Sequence, residues 1–136
     1  MKVYVLDANA IVRYMNRTAD SHRVKALFDK ASTGEARLMI SVVNWGEVIY
    51  TMAKRVGLTR AAADLKAMGA ALETVGIEED FAEEAATLKH NFKLGYGDSF
   101  AAALAIRMSA TLVTADPDFA KLGKRLKVMA LAPYKD

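Results

Sequence analysis

Short apolar segments rich in β-branched residues alternate along this chain with longer stretches of helical character. Strands are predicted at Lys2–Leu6, Leu38–Ser41 and Thr111–Thr114, because each is a short apolar run bounded by polar residues or turn signals. Weaker signals predict a strand at Glu73–Gly76 and a final edge strand at Arg125–Met129. Strands separated by helices of about 10–15 residues form βαβ crossovers. The predicted fold class is therefore α/β, with a mostly parallel central sheet flanked by helices on both faces.

Helices are predicted between these strands from apolar spacing and from residues that start or stop helices. The segment Glu79–Lys93 is acidic in its first turn and basic in its last, which matches the helix dipole. Asp98–Met108 follows a predicted turn at Gly95-Tyr96-Gly97, and its apolar segment Phe100–Ile106 is typical of a buried helix. The other predicted helices are Ala10–Met15, His22–Ala31, the amphipathic Val43–Val56 and a segment from an N-cap at Thr59 to about Gly69.

Composition limits the kind of protein this chain can be. With 136 residues, 53% hydrophobic and 26% charged, it is expected to form one globular domain over residues 1–136. The absence of cysteine excludes disulfides, thiolate zinc sites and thiol nucleophiles, and indicates a reducing compartment. No apolar run approaches the roughly 20 residues of a membrane span, and Asp7 interrupts the N-terminal apolar stretch, so a cytoplasmic location is expected. A net charge of +3 is only a weak indication of a polyanionic partner.

Two aspartates follow predicted strands. Asp7 comes directly after Lys2–Leu6, and Asp116 follows Thr111–Thr114. Because the carboxyl ends of parallel strands meet at one edge of a sheet, both carboxylates are expected at the same edge. Either aspartate alone could be a helix N-cap or a turn residue. The two together favour a shared site.

Asp98 and Glu47 are two further candidate acids with different signals. Asp98 begins the predicted buried helix, where it could be a cap or a functional carboxylate; the residues alone leave both possibilities open. Glu47 lies opposite the apolar face of its helix, so periodicity predicts that it is solvated. Asn44 and Thr51 share this polar stripe, which could equally line a cleft.

The candidate site is composed of oxygen donors. His22 and His90 have no partner at the spacing of zinc ligands, which disfavours zinc. Carboxylates that leave room for water suit Mg²⁺ or Mn²⁺, and these ions usually serve phosphate chemistry. A serine nucleophile is disfavoured because no serine has an evident base; the serines considered are Ser41, Ser99 and Ser109.

Four segments resemble, in order and spacing, the signature regions of PIN-domain ribonucleases of the VapC toxin type. They are VLDANAI (5–11), SVVNWGEV (41–48), GDSFAAALA (97–105) and LVTADPDF (112–119). The resemblance implies a PIN-like three-layer fold and a metal-binding acidic cluster made of Asp7, Glu47, Asp98 and Asp116. It also implies hydrogen-bond support from Asn9, Ser41 and Thr114, with Asp118 as an auxiliary acid. Glu47 is assigned to the site by this resemblance, against its periodicity. Ala8 departs from the family pattern, which often has a small hydroxyl residue there.

The resemblance further implies a reaction and partners. RNA phosphodiester bonds would be hydrolysed by a water activated by Mg²⁺ or Mn²⁺, attacking in line with the leaving 3′ oxygen. Asp7, Asp98 and Asp116 would hold a first ion, and Glu47 a second ion or the water. A small antitoxin would block the site. A homodimer is expected from the family, from the seven methionines and from the many apolar positions on short helices that could be exposed.

Other functions have weaker support. A haloacid-dehalogenase-type phosphatase needs a second aspartate where Asp7-Ala8-Asn9 has asparagine. A non-catalytic alternative is a receiver-like phosphoacceptor or a nucleic-acid-binding module in which the acids only bind Mg²⁺. A receiver would need adjacent acids after its first strand and a lysine after its last, and neither is evident. A dinucleotide-binding domain is disfavoured because Gly95-Tyr96-Gly97 is not a G-x-G-x-x-G motif and follows no strand.

Overall fold

The computed structural model describes residues 1–131, which form one five-stranded parallel sheet covered by helices. The strands are β1 (Lys2–Leu6), β2 (Ala36–Ser41), β3 (Leu72–Val75), β4 (Thr111–Thr114) and β5 (Lys127–Ala130). They lie in the order β3-β2-β1-β4-β5, and every neighbouring pair is parallel. The predicted strands and the parallel sheet are confirmed, including β5 at an edge. Residues 132–136, which the one-domain prediction includes, lie outside the described residues.

Six α-helices and one 3₁₀ segment connect the strands. They are α1 (Ala8–Met15), α2 (Ser21–Ser32), α3 (Val42–Val56), α4 (Leu58–Ala67), α5 (Glu79–Phe92), α6 (Tyr96–Arg107) and the 3₁₀ segment Pro117–Arg125. The 3₁₀ segment was not predicted; it begins with Pro117 and is interrupted by non-helical backbone at Gly123. Within residues 1–131, no helix combines the length and apolarity needed to cross a membrane.

Several predicted helix starts are wrong by two residues, each for a local reason. Helix α1 begins at Ala8 because the Asp7 side chain caps it. Helix α4 begins directly after Gly57, so the predicted cap Thr59 lies inside the helix. Tyr96 and Gly97 belong to the first turn of α6, so the predicted Gly95-Tyr96-Gly97 turn is shorter than expected. This last difference matters for the site.

Each face of the sheet has its own hydrophobic core. Alternate strand residues point to opposite faces, so Tyr4 and Leu6 pack with α1–α4 while Val5 packs with α5, α6 and the 3₁₀ segment. The predicted helices on both faces are confirmed. Helix α6 is the most buried helix, with Ser99–Ala105 buried on all sides, as its apolar sequence predicts.

The methionines fill these cores and do not form an apolar surface patch. Met39 and Met52 are buried, and Met15, Met68, Met108 and Met129 pack against the cores partly buried. Only Met1 is largely exposed, at 80%. The flexible methionine side chain suits irregular gaps in a core. Taking the methionines as a sign of a dimer interface was therefore wrong.

The strand order places a crevice between β1 and β4. From β1 the chain continues to β2 and β3 on one side of β1, and it then crosses to β4 on the other side. The pair β1 and β4 is therefore the topological switch point of the sheet. Ligands of open parallel sheets bind at the carboxyl ends of the strands at such a point. The order also differs from the 2-1-3-4-5 order of receiver domains, which removes a receiver fold from consideration.

Candidate active site

Asp7 follows β1 and is both a helix cap and an acid of the switch-point crevice. It is only 2% exposed. Its Oδ1 accepts a hydrogen bond from the Ala10 backbone N–H at 2.7 Å, and its Oδ2 accepts one from the Thr114 hydroxyl. The pKa of Asp7 is raised to about 7. Burial is the largest cause and the charges of Asp98 and Asp116 add to it, whereas the two hydrogen bonds act in the opposite direction. The cap interpretation is thus confirmed, and the same carboxylate lies close to the other strand-end acid.

Thr114, the last residue of β4, links Asp7 to Asp116. Its hydroxyl donates to Asp7 and accepts a hydrogen bond from the Asp116 backbone N–H at 3.0 Å. The Asp116 side chain in turn caps the 3₁₀ segment, because its Oδ1 accepts from the Asp118 backbone N–H at 2.9 Å. Thr114 therefore makes the supporting hydrogen bond predicted for it, and fixes the two strand-end acids relative to each other.

Asp98 lies in the first turn of α6 and does not cap it. The N-cap residue of α6 is Gly95, and no side chain makes a capping hydrogen bond there. Asp98 is partly buried, and its pKa is raised to about 6. Burial is the largest cause, and the charges of Asp116 and Glu47 and a hydrogen bond with the Asp116 side chain act in the same direction. These interactions connect Asp98 to the other acids, which supports the functional interpretation over the cap.

Glu47 is exposed, as its periodicity predicts, yet its carboxylate lies against the start of α6 as the resemblance predicts. Its Oε1 accepts a hydrogen bond from Asn44 Nδ2 at 2.7 Å. The same Nδ2 donates to the Gly97 carbonyl oxygen at 3.0 Å. Because α3 packs against α6, Asn44 and Glu47 of the polar stripe lie beside the start of α6.

Asn44 is a site residue that the sequence reasoning did not select. It is 1% exposed, and its Oδ1 accepts a hydrogen bond from the Ser41 hydroxyl at 2.7 Å. Ser41 also caps α3, since its Oγ accepts from the Asn44 backbone N–H at 3.1 Å. Ser41 thus supports Glu47 indirectly, by fixing the Asn44 amide. The available signal was the spacing of Ser41, Asn44 and Glu47, which lie three residues apart on one helix face.

Two predicted residues lie at or beyond the edge of the cluster. Asn9 is exposed on α1, and its side chain makes no hydrogen bond to any part of the chain that the structure describes. The supporting role expected of Asn9 therefore stays a prediction. Asp118 is exposed and lies 4.0 Å from Lys121 Nζ, and its charge contributes to the raised pKa of Asp98.

The acids fit a hard cation that keeps part of its water shell. Within residues 1–131, no three acidic or histidine side chains are close enough together to bind one ion jointly. Asp98 and Asp116 do form an adjacent pair, and Asp7 and Glu47 are near enough for their charges to act on the cluster. Mg²⁺ typically uses one or two carboxylates and retains several waters. The donor set is entirely oxygen, and the exposed His22 and His90 are absent from it.

Comparisons with known proteins agree with this geometry. The PIN-domain family model matches residues 4–125. The fold is similar to a chain of VapBC2 from Rickettsia felis, solved with a promoter DNA fragment, with a TM-score of 0.75, 22% identity and coverage of 94% of this chain and 98% of that one. It is also similar to a chain of DNA-bound VapBC from Salmonella typhimurium (TM-score 0.73, 20% identity, coverage 96% and 98%).

A third similar structure is VapC20 from Mycobacterium tuberculosis, described as a toxin that cleaves the sarcin-ricin loop (TM-score 0.70, 18% identity, coverage 88% and 95%). No curated protein sequence matches the chain. The family match covers most of the sequence and all four acids of the crevice. The chain belongs to the PIN-domain family, a family of nucleases.

Proposed function

We propose that this protein is a Mg²⁺- or Mn²⁺-dependent endoribonuclease and the toxin of a VapBC-type toxin–antitoxin pair, acting in the cytoplasm. One observation carries the proposal: carboxylates from four separate segments lie together at the β1–β4 crevice, where the charges of Asp98 and Asp116 raise the pKa of Asp7 and those of Asp116 and Glu47 raise the pKa of Asp98. Such mutual repulsion is costly unless a cation offsets it. Similarity to VapBC structures supports the toxin assignment.

The side chains divide the work in this proposal. Asp98 and Asp116 would hold the ion directly. Asp7, which is fixed by hydrogen bonds from Thr114 and from the N-terminus of α1, would add a further negative charge that attracts the ion. A bound ion lowers the pKa of a coordinated water and offsets charge on the phosphate. Glu47, held by Asn44 but exposed to solvent, would orient the attacking water and accept its proton.

Exposed cations near the crevice would contact the RNA backbone without reading sequence. Lys121 lies beside Asp118 at the outer edge of the acids. Lys54 lies on the Glu47 side of α3, with its ammonium 4.6 Å from the centre of the Tyr50 ring. Arg13 does not belong to this group, because it is buried in an ion pair with Asp20 at 2.8 Å.

The proposal includes two protein partners. A small antitoxin would cover the crevice, as the VapBC pairing of similar structures suggests. A second copy of the chain would form a homodimer. Among the described residues, several large apolar side chains are exposed; they include Tyr50 (65%), Leu58 (68%) and Tyr96 (58%).

The test is cleavage of a structured RNA by the purified protein with Mg²⁺ or Mn²⁺, followed by addition of chelator. Cleavage that stops with chelator and resumes with excess metal is expected. Equal cleavage in chelator would contradict metal dependence, and no cleavage of any RNA under metal-replete conditions would contradict the nuclease assignment. Expression in a host without the antitoxin should arrest growth, and expression of Asp98→Asn should not.

A further inference from the structure

The absence of a side chain at Gly97 creates the space that the Glu47 carboxylate occupies. A Cβ built on Gly97 would lie 2.5 Å from Cδ of Glu47 and would overlap both carboxylate oxygens. Real Cβ atoms essentially never approach other atoms this closely. The backbone at Gly97 is ordinary helix within α6, so the glycine is not needed for a left-handed conformation.

Gly97 also supplies an anchor for the group that holds Glu47. The Asn44 amide donates from one nitrogen to both the Gly97 carbonyl and the Glu47 carboxylate. Ser41 fixes the amide by donating to its oxygen. The Glu47 side chain, although exposed, is thereby fixed to α6 one residue before Asp98.

We propose that Gly97 is a positioning residue for the nuclease reaction: together with Asn44, it fixes the Glu47 carboxylate beside Asp98 at the start of α6. The catalytic part of this inference rests on the proposed function. Glycine in a helix is less favourable than alanine, so replacing an ordinary helical glycine with alanine would increase the stability of the protein. At Gly97 the replacement must displace Glu47 instead.

The chain provides a matched control in Gly46. This glycine is also helical and lies in α3 directly before Glu47, and a Cβ added to it would meet no atom within 4 Å apart from its two chain neighbours and the nearby backbone of its own helix. Gly46→Ala therefore adds the same methyl group and the same helix propensity without displacing a side chain from another helix or strand. Comparing Gly97→Ala with Gly46→Ala isolates the contact with Glu47 from the general effect of the substitution.

The experiment measures RNA cleavage and urea unfolding for wild type, Gly46→Ala, Gly97→Ala, Glu47→Ala and the double variant Glu47→Ala/Gly97→Ala. Gly97→Ala should lower kcat at least ~10-fold with KM changed less than ~2-fold, because the role proposed for Glu47 lies in the chemical step and not in RNA binding. Gly46→Ala should retain kcat within ~2-fold. In the Glu47→Ala background, adding Gly97→Ala should change kcat by less than ~2-fold.

Unfolding in chelator provides a readout that does not depend on activity. Gly97→Ala should raise the urea midpoint more in the Glu47→Ala background than in wild type, because the overlap exists only when Glu47 is present. Equal effects in the two backgrounds would overturn the inference, as would a Gly97→Ala kcat equal to that of Gly46→Ala. If wild type cuts no RNA, the proposed function fails, and this coupling in urea still decides whether Gly97 positions Glu47.

Discussion

The side-chain hydroxyl of Thr114 donates a hydrogen bond to Oδ2 of the buried Asp7. Since the same hydroxyl accepts the Asp116 backbone N–H, one threonine joins the acids that follow β1 and β4. Strands β1 and β4 are neighbours in the sheet, where Leu6 pairs with Val113. Asp7 and Thr114 are therefore in contact although more than a hundred positions separate them in the sequence. The sheet therefore creates the crevice, and Thr114 sets the spacing of its acids.

Replacing Thr114 with valine tests this link. Valine keeps the shape of the side chain but leaves Asp7 Oδ2 buried without its donor, so the free energy of unfolding should fall by about 1–3 kcal/mol. The pKa of Asp7 should rise further, because the lost hydrogen bond lowers it in wild type. Urea unfolding near neutral pH measures the first effect.

The matched control is Thr111→Val on the same strand, because the Thr111 hydroxyl makes no hydrogen bond within the described residues. This control should change the unfolding free energy by less than about 0.5 kcal/mol. Similar losses for Thr111→Val and Thr114→Val would show that the hydroxyl of Thr114 does not hold Asp7.

Stability without metal should fall as pH rises from about 4.5 to 8. The folded-state pKa is about 7 for Asp7 and about 6 for Asp98, both above the ordinary 3.8. In this window the folded state binds more protons than the unfolded state, so the slope of unfolding free energy against pH is negative. The stabilisation is complete below the unfolded pKa and is lost as pH rises through the folded values.

The contribution of Asp7 to this slope is isolated by the Asp7→Asn variant. Urea unfolding of both proteins in chelator, at several pH values, should show a smaller decline for the variant, with a difference on the order of 2 kcal/mol across the window. Parallel curves for the two proteins would mean that Asp7 titrates normally and is not buried in the way described.

Asp98→Asn should leave the metal-free protein as stable as wild type, or more stable by about 1 kcal/mol. The substitution keeps the shape of the side chain and removes repulsion from Asp116 and Glu47, and no capping hydrogen bond is lost. Thermal melts in chelator measure this effect.

Added Mn²⁺ should raise the melting temperature of wild type more than that of Asp98→Asn, since a ligand of the folded state stabilises it by mass action. Asp118→Asn is the control, because this exposed acid lies at the edge of the cluster, and its response to Mn²⁺ should remain close to that of wild type. If Asp98→Asn melts well below wild type in chelator, the residue is structural and the cluster loses a central member.

The sequence was sufficient for the sheet and for the strand-end acids, because both follow from local rules. Apolar runs predicted β1, β2 and β4, weaker signals predicted β3 and β5, and the rule for parallel sheets placed Asp7 and Asp116 at the same edge. Glu47 required the family resemblance, since helical periodicity reports only that a residue avoids the core. Periodicity cannot distinguish bulk solvent from a crevice between α3 and α6.

Features that depend on contacts between distant segments were missed or wrong. Asn44 was not selected because its importance comes from the Gly97 carbonyl, 53 residues away in sequence. Gly97 was interpreted as part of a turn because glycine usually marks one, whereas here it makes room for a side chain of another helix. Asn9 was selected by motif position, but α1 directs its side chain into solvent.

The most direct test of the acidic cluster is the rate of RNA cleavage by Asp7→Asn in saturating Mg²⁺ or Mn²⁺. Asparagine can still accept the Ala10 N–H that caps α1, so the variant should fold, as circular dichroism would verify. Because the charge that attracts the cation and offsets the transition state is reduced, cleavage should fall by at least about 100-fold relative to wild type. Cleavage by folded Asp7→Asn within a few-fold of wild type would contradict the assignment of this crevice as the nuclease active site.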